Sequence, residues 1–172
     1  MSAELFATNE VVSGATFSTD RVYRYALWRV WDAALPSFVV IGLNPSTADE
    51  TENDPTIRRC IGFAKREGCG GLVMLNLFAV RATDPRVMMA HPEPIGADND
   101  TTLSAASAEN RIVVAAWGAK GSHLGRDKAV LTLLPAMRCF GTTKDGHPRH
   151  PLYLPSDAPL VPFASPRGAH PE

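Results

Sequence analysis

The sequence predicts an α/β fold, in which helices cover both faces of a central, mostly parallel sheet of about four strands. Three observations predict it. With 172 residues, 45% of them hydrophobic, the chain can bury one sizeable core. Short apolar runs alternate with segments of helical period, and Gly or Pro separates them. Such alternation produces crossovers and a parallel sheet. We therefore expect one three-layer αβα domain over residues 1–154, followed by a Pro- and Ala-rich tail over residues 155–172.

The first predicted elements are antiparallel strands that precede this sheet. Aromatic and β-branched residues are frequent in two segments on either side of a polar turn at Thr19 and Asp20, "ATFSTD" and "RVYRYALWRVWD". This pattern indicates an N-terminal hairpin or a pair of edge strands.

A strand, a loop and a helix follow. The run "SFVVIGL" is typical of a strand buried on both faces. After the loop, Asp54 is placed to cap a helix with Pro55 at its first position, and Gly68 is placed to end it. Apolar residues recur at helical spacing between them, at Ile57, Cys60, Ile61 and Ala64.

The same alternation continues toward the carboxyl end. Three further strands are predicted in "GLVMLNLF", "RIVVAAWG" and "MRCFGTT". One helix is predicted in "NDTTLSAASAEN", opened by Asp98 or Asp100, and another in "LGRDKAVLTLLP". In the second helix four apolar residues are expected to face inward, namely Leu124, Val130, Leu131 and Leu134.

The composition of the chain argues against several classes of function. A net charge of -1 and a pI near 6.5 argue against a protein that binds duplex nucleic acid through bulk charge. Neither a basic, apolar leader nor an apolar run of about 18 residues is present, so we expect a cytoplasmic protein without a membrane partner. The three cysteines have no paired spacing, which predicts reduced, buried thiols and no metal or other cofactor.

The predicted sheet also indicates where chemistry lies, because ligands of open parallel sheets bind beyond the carboxyl ends of the strands. Four loops there carry polar or aromatic residues, at Asn44, Pro45 and Ser46, from Asn76 to Arg81, at Trp117, and from Lys144 to Tyr153. Structural alternatives exist for several of them. The Asn-Pro-Ser segment also suits a simple turn, Asp54 suits a helix cap better than a catalytic carboxylate, and Trp117 suits the core.

Six segments in order are similar to a bacterial and phage family, the domain of unknown function numbered sixteen forty-three. They are "RYALWRVW", "GLNPSTAD", "NDPTIRRC", "NLFAVRATDP", "PIGADND" and "HPRHPLYL". More distantly, the chain resembles the uracil-DNA glycosylase superfamily, through "GLNP", "VMLNLF", "AAWG" and the same histidine-proline segment. This second resemblance implies a glycosylase-like fold for the domain and a hydrolase of DNA repair.

The resemblance also implies roles for individual residues. Asn44 corresponds to the position that orients the attacking water, and Asn76 to the position that reads the edge of a pyrimidine. His150, or alternatively His147, corresponds to the histidine that stabilises the departing base. Phe78 is a candidate stacking surface and Leu152 a candidate wedge. A basic cluster of Lys144, Arg149 and His150, with Arg81 opposite, could neutralise a phosphate.

Three functional hypotheses follow. The first is hydrolysis of an N-glycosidic bond to uracil or a modified pyrimidine in DNA. The second is an enzyme that processes free nucleotides or nucleosides, and the third is a module that binds a modified base without turnover. The expected partner is a nucleobase or nucleotide, either free or carried by single-stranded or damaged DNA.

Overall fold

The strands form one seven-stranded sheet in the part of the chain that a computed structural model describes, residues 10–110 and 112–163. Their order across the sheet is β1-β2-β4-β3-β5-β6-β7. The bounds are Val12–Phe17 for β1, Arg24–Val30 for β2, Ser37–Gly42 for β3, Gly71–Asn76 for β4, Ile112–Ala115 for β5, Arg138–Cys139 for β6 and Val161–Pro162 for β7.

The centre of this sheet is parallel, as predicted. Strand β3 pairs in parallel with β4 and with β5, and β5 pairs in parallel with β6. The expected N-terminal antiparallel strands are β1 and β2, which extend the sheet beyond β4 at one edge. The predicted count of about four strands is therefore wrong, because antiparallel strands continue the same sheet at both edges.

The last strand lies in the segment predicted to be a tail. Strand β7 pairs antiparallel with β6, and Ala158 and Phe163 are buried beside it. Two buried side chains and a two-residue strand leave no periodic pattern in the sequence, so this edge had no visible signal. The rest of the predicted tail, residues 164–172, lies outside the described residues.

Helices cover both faces of the sheet. They are α1 at Pro55–Arg66, α2 at Pro85–Ala90, α3 at Asn99–Glu109 and α4 at Arg126–Leu133. Successive residues of β3 enter different cores, since Phe38 and Val40 pack with α1 whereas Val39 and Ile41 pack with the layer that contains α3 and α4. This alternation is the period-two geometry of a strand buried on both faces. The predicted three-layer arrangement is confirmed.

The helix ends follow the local sequence, with one exception. The Asp54 carboxylate Oδ1 accepts a hydrogen bond from the Ile57 amide at 2.8 Å, and Gly68 takes a φ of +72° after α1. The prediction for Leu124 is wrong: it has a φ of +56° and is 67% exposed. A 3₁₀ segment, Ala119–Gly125, occupies that stretch, and α4 begins only after it.

The three cysteines are free and buried, as predicted. Burial raises the pKa of the Cys60 thiol to about 12, which keeps it protonated and unreactive. Among the helices of the described segments, none has the length and apolar character to cross a bilayer.

Candidate functional site

A cavity of about 240 Å³ lies at the carboxyl ends of β3, β4 and β5. Asn44, Asn76 and His150 all line it, together with Arg24 and Asp54. The volume is below the roughly 300–1,000 Å³ typical of sites for drug-sized ligands, which suits a group the size of a single nucleobase.

The strand order explains why a cavity forms here. The chain passes from β3 to β4 on one side and then returns to β5 on the other side of β3. The connections leaving β3 and β5 therefore diverge, and the crevice between them is where open α/β sheets bind ligands. Asn44 follows β3, Asn76 ends β4, and Trp117 follows β5.

The Asn76 side chain lines this cavity and has a hydrogen-bond donor that the described residues leave unused. Its side chain is 2% exposed, and the buried Nδ2 has no partner among the described residues. Gly42 lies directly opposite in the parallel register, and a Cβ there would stand 3.1 Å from the Asn76 Oδ1. Glycine thus leaves the space that the amide occupies. An orphaned buried donor is costly in the free protein, so it favours a ligand acceptor at this point.

The main chain at Asn76 is also fixed by hydrogen bonds from buried side chains. The buried Asn99 donates from Nδ2 to the carbonyl oxygens of Asn76 and Leu77, at 3.0 Å each. Arg126 donates from Nε to the same Leu77 oxygen at 2.8 Å. Because these bonds use the main chain, the Asn76 side chain stays available to the cavity.

Asn44 is oriented by its own amide. Its Nδ2 donates to the Ala82 oxygen at 2.8 Å and to the Pro45 oxygen at 3.1 Å. The amide nitrogen is therefore engaged with the wall, and Oδ1 is the atom that can accept a hydrogen bond from water or ligand. Pro45 and Ser46 line the cavity beside it.

His150 is a neutral donor in its environment. Its Nδ1 accepts a hydrogen bond from the Leu152 amide at 3.2 Å, so the proton of the neutral ring belongs on Nε2. Burial lowers the pKa of His150 below its ordinary value, and the nearby charge of Asp54 opposes this shift. Of the two candidate histidines, the structure brings His150 and not His147 to the cavity.

Two further charged residues reach the cavity, and sequence reasoning assigned neither to it. Arg24 is 2% exposed; burial lowers the pKa of its guanidinium to about 10, and the charge of Asp54 opposes the shift. Asp54 is the helix cap that was predicted, but its carboxylate also lines the cavity, with Oδ1 used for the cap. Strand β2 runs antiparallel to β4, so its amino end, with Arg24, lies at the edge where the parallel strands end.

Several other predicted residues lie away from the cavity. Phe78 is fully buried in the core on the α3 and α4 face, so packing and not stacking accounts for it. Arg81 lies over the Phe17 ring, with 4.9 Å from its Cζ to the ring centroid. The remaining three belong to the loop around His150: Lys144 and Arg149 are exposed and Leu152 is partly buried. Around the cavity, positive charge thus comes from Arg24 and not from this loop.

The loop between β3 and α1 forms one wall, and strand β2 holds it in place. Arg29 donates from Nη2 to the Asp49 oxygen at 2.7 Å and to the Glu52 oxygen at 3.3 Å, and from Nε to the Asn53 Oδ1 at 2.9 Å. Arg24 adds a bond from Nη1 to the Ala48 oxygen at 2.8 Å. The wall is therefore tied to β2 at three peptide oxygens and at the Asn53 side chain.

Comparison with known proteins gives one match. A family model described as "Protein of unknown function (DUF1643)" matches residues 24–152, which include every cavity residue named above. No curated protein and no solved structure matches the chain. The glycosylase-like form of the fold accordingly stays a prediction from the motifs.

Proposed function

We propose, from the premise that the chain belongs to the DUF1643 family of proteins of unknown function, that it binds a pyrimidine-like base and hydrolyses its N-glycosidic bond. The observation that carries the proposal is the buried Asn76 side chain, which lines one small cavity with His150 and whose Nδ2 has no partner among the described residues. An amide presents a donor and an acceptor side by side, which is what the edge of a pyrimidine requires. The order of the motifs, which resembles that of the uracil-DNA glycosylases, supports the same reaction.

In the proposed reaction, a water oxygen attacks C1′ of the sugar and the bond from C1′ to the base nitrogen breaks. The bonding electron pair leaves with the base, and His150 stabilises the resulting anion by donating from Nε2 to a base oxygen. The water proton passes to a carboxylate and the base anion is protonated afterwards, so the products are the free base and a sugar hemiacetal.

Asp54 is the carboxylate that suits the proton transfer. A carboxamide such as Asn44 can orient water but is a poor base. Asp54 lines the same cavity, and its Oδ2 accepts no hydrogen bond from any residue in the described segments. We therefore assign water positioning to Asn44 and proton acceptance to Asp54, which extends the cap role that the sequence predicted.

The direct test is base release, measured by mass spectrometry, from oligonucleotides that contain uracil, a thymine mismatch or a modified pyrimidine. We expect His150→Gln to slow release by about 100- to 1,000-fold, the loss typical of one anion-stabilising donor. His147→Gln is the matched control, since His147 belongs to the same loop but does not line the cavity. Wild-type protein that releases no base from any of these substrates would reject glycosylase activity.

A second candidate is the processing of free nucleotides or nucleosides by the same cavity. The nearly balanced charge of the chain favours it, because a duplex-binding enzyme usually carries a broad basic face. Turnover of nucleosides without turnover of oligonucleotides would establish this alternative. Saturable binding of a base with no turnover of either would establish the third hypothesis, a module that binds a modified base.

A further inference from the structure

We infer that Arg24 binds an anionic oxygen group, a carboxylate or a phosphate, of the ligand that occupies the cavity. The inference rests on the proposed function in that the ligand is taken to be a pyrimidine compound. It adds a charge requirement that neither Asn76 nor His150 imposes.

The side chain of Arg24 is buried without the partners that such burial requires. It is 2% exposed and lines the cavity, yet its Nε is buried and has no hydrogen-bond partner among the described residues. Its one side-chain hydrogen bond within those residues runs from Nη1 to the Ala48 oxygen. A buried guanidinium with unused donors is destabilising unless something else satisfies it.

The other buried arginines of the described segments show the contrast. Arg29 uses Nε, Nη1 and Nη2 on oxygens of the protein. Arg126 donates to the Leu77 oxygen and forms an ion pair with Asp100 at 2.6 Å. Arg24 forms no ion pair with a described carboxylate. Unpartnered guanidinium atoms also occur at Arg59 Nε and Arg126 Nη2. Arg59 is only partly buried, however, Arg126 has the Asp100 carboxylate, and neither lines the cavity.

Charges of both signs act on Arg24. The Asp54 carboxylate has the largest charge effect and Asp49 a smaller one of the same sign, whereas the positive charges of Arg81 and Arg29 act in the opposite sense. The two neighbouring cations favour an anion beside Arg24, and Asp54 partly offsets them. A carboxylate or phosphate can accept two parallel hydrogen bonds from a guanidinium, whereas a neutral carbonyl cannot match that fork. An anionic ligand thus fills the unused donors and removes the cost of the buried charge.

The test compares charged and neutral pyrimidines by calorimetry. Orotate carries a carboxylate, uridine monophosphate carries a phosphate, and uracil and uridine carry neither. We expect wild-type protein to bind one of the anionic compounds about 10- to 100-fold more tightly than its neutral counterpart. The compound that shows the preference identifies the anionic group.

Arg24→Gln should abolish the preference, because glutamine is polar but has neither the charge nor the guanidinium fork. Arg81→Gln is the control, since it removes a neighbouring charge that does not line the cavity, and it should change the preference less than about threefold. If Arg24→Gln does not fold, Arg24→Lys retains the charge without the planar fork and should reduce the preference.

Each other outcome is also decisive. Equal binding of anionic and neutral pyrimidines would overturn the role of Arg24 and leave the proposed function standing. Binding of inorganic phosphate without any pyrimidine would support Arg24 and reject the proposed function. Failure of all four compounds and of phosphate to bind would reject both.

Discussion

Replacement of Asp54 separates its two roles, because asparagine keeps the helix cap and removes the charge. In the wild-type protein the Asp54 Oδ1 accepts from the Ile57 amide at 2.8 Å. Asn and Asp are similar N-caps, so Asp54→Asn retains an oxygen that can accept this hydrogen bond. It loses the favourable interaction of a negative charge with the helix dipole, about 0.3–1 kcal/mol, together with the effect of that charge on Arg24 and His150. Asp54→Ala loses the cap as well, at a cost of about 1 kcal/mol.

These costs are small in thermal terms. One kcal/mol corresponds to roughly 2–4 °C in Tm for a domain of this size, so both variants should remain folded near room temperature. General base catalysis contributes about 100- to 10,000-fold to rate. If Asp54 accepts the water proton, both variants should lose base release to a similar extent, although only Asp54→Ala loses the cap.

Single-turnover base release and thermal unfolding, measured on the same preparations, give the comparison. Asp54→Asn with release within about threefold of wild type would refute the assignment of Asp54 as the base. A third measurement checks the geometry: the charge of Asp54 raises the pKa of His150, so Asp54→Asn should lower that pKa further in an NMR titration. An unchanged pKa would mean that the two side chains do not interact.

Three other predictions follow from the cavity and its supports. Because burial lowers the pKa of His150, the unfolded chain binds the proton more readily; stability should therefore fall as pH drops below about 6.5. Chemical denaturation should show that His150→Gln lacks this part of the pH dependence, and an identical pH slope would contradict it. Gly42→Ala should crowd the Asn76 amide, 3.1 Å from the new Cβ, and weaken ligand binding about tenfold or more in calorimetry while Tm changes by only a few degrees. Unaltered affinity would show that the amide position is unimportant. Asn99→Ala removes the Asn99 donor from the carbonyl oxygens of Asn76 and Leu77, of which the Leu77 oxygen keeps the bond from Arg126. It should cost about 1–3 kcal/mol in urea unfolding, whereas a smaller cost would mean that water replaces the amide.

The strands that carry an apolar run could be predicted from the sequence, even the two-residue β6, whereas β7 could not. The runs at β3, β4 and β5 have bounding turns and enough residues to show burial on both faces. Strand β7 has two residues, one of them Pro162, and forms only because β6 already presents an open edge. Tertiary pairing, and not local pattern, decides such an element.

The sequence predicted those site residues whose position follows from the parallel strands. Asn44, Asn76 and His150 were expected at one edge because parallel strands all end there, and the structure places all three on the cavity. Arg24 was missed because it begins an antiparallel strand, and its place at this edge depends on the pairing of β2 with β4. An arginine directly before the apolar residues of β2 was the available signal. The chemical roles of these residues stay predictions.

The bonds from β2 to the wall loop have a consequence for how the protein can diverge. Arg24 and Arg29 reach this loop largely through the carbonyl oxygens of Ala48, Asp49 and Glu52, groups that every amino acid provides. Side chains in the loop can therefore change without loss of these anchors. A library randomised at Ser46, which lines the cavity, would alter ligand selectivity on a backbone whose shape is maintained from a neighbouring strand. Laboratory evolution of new specificities could begin at this loop.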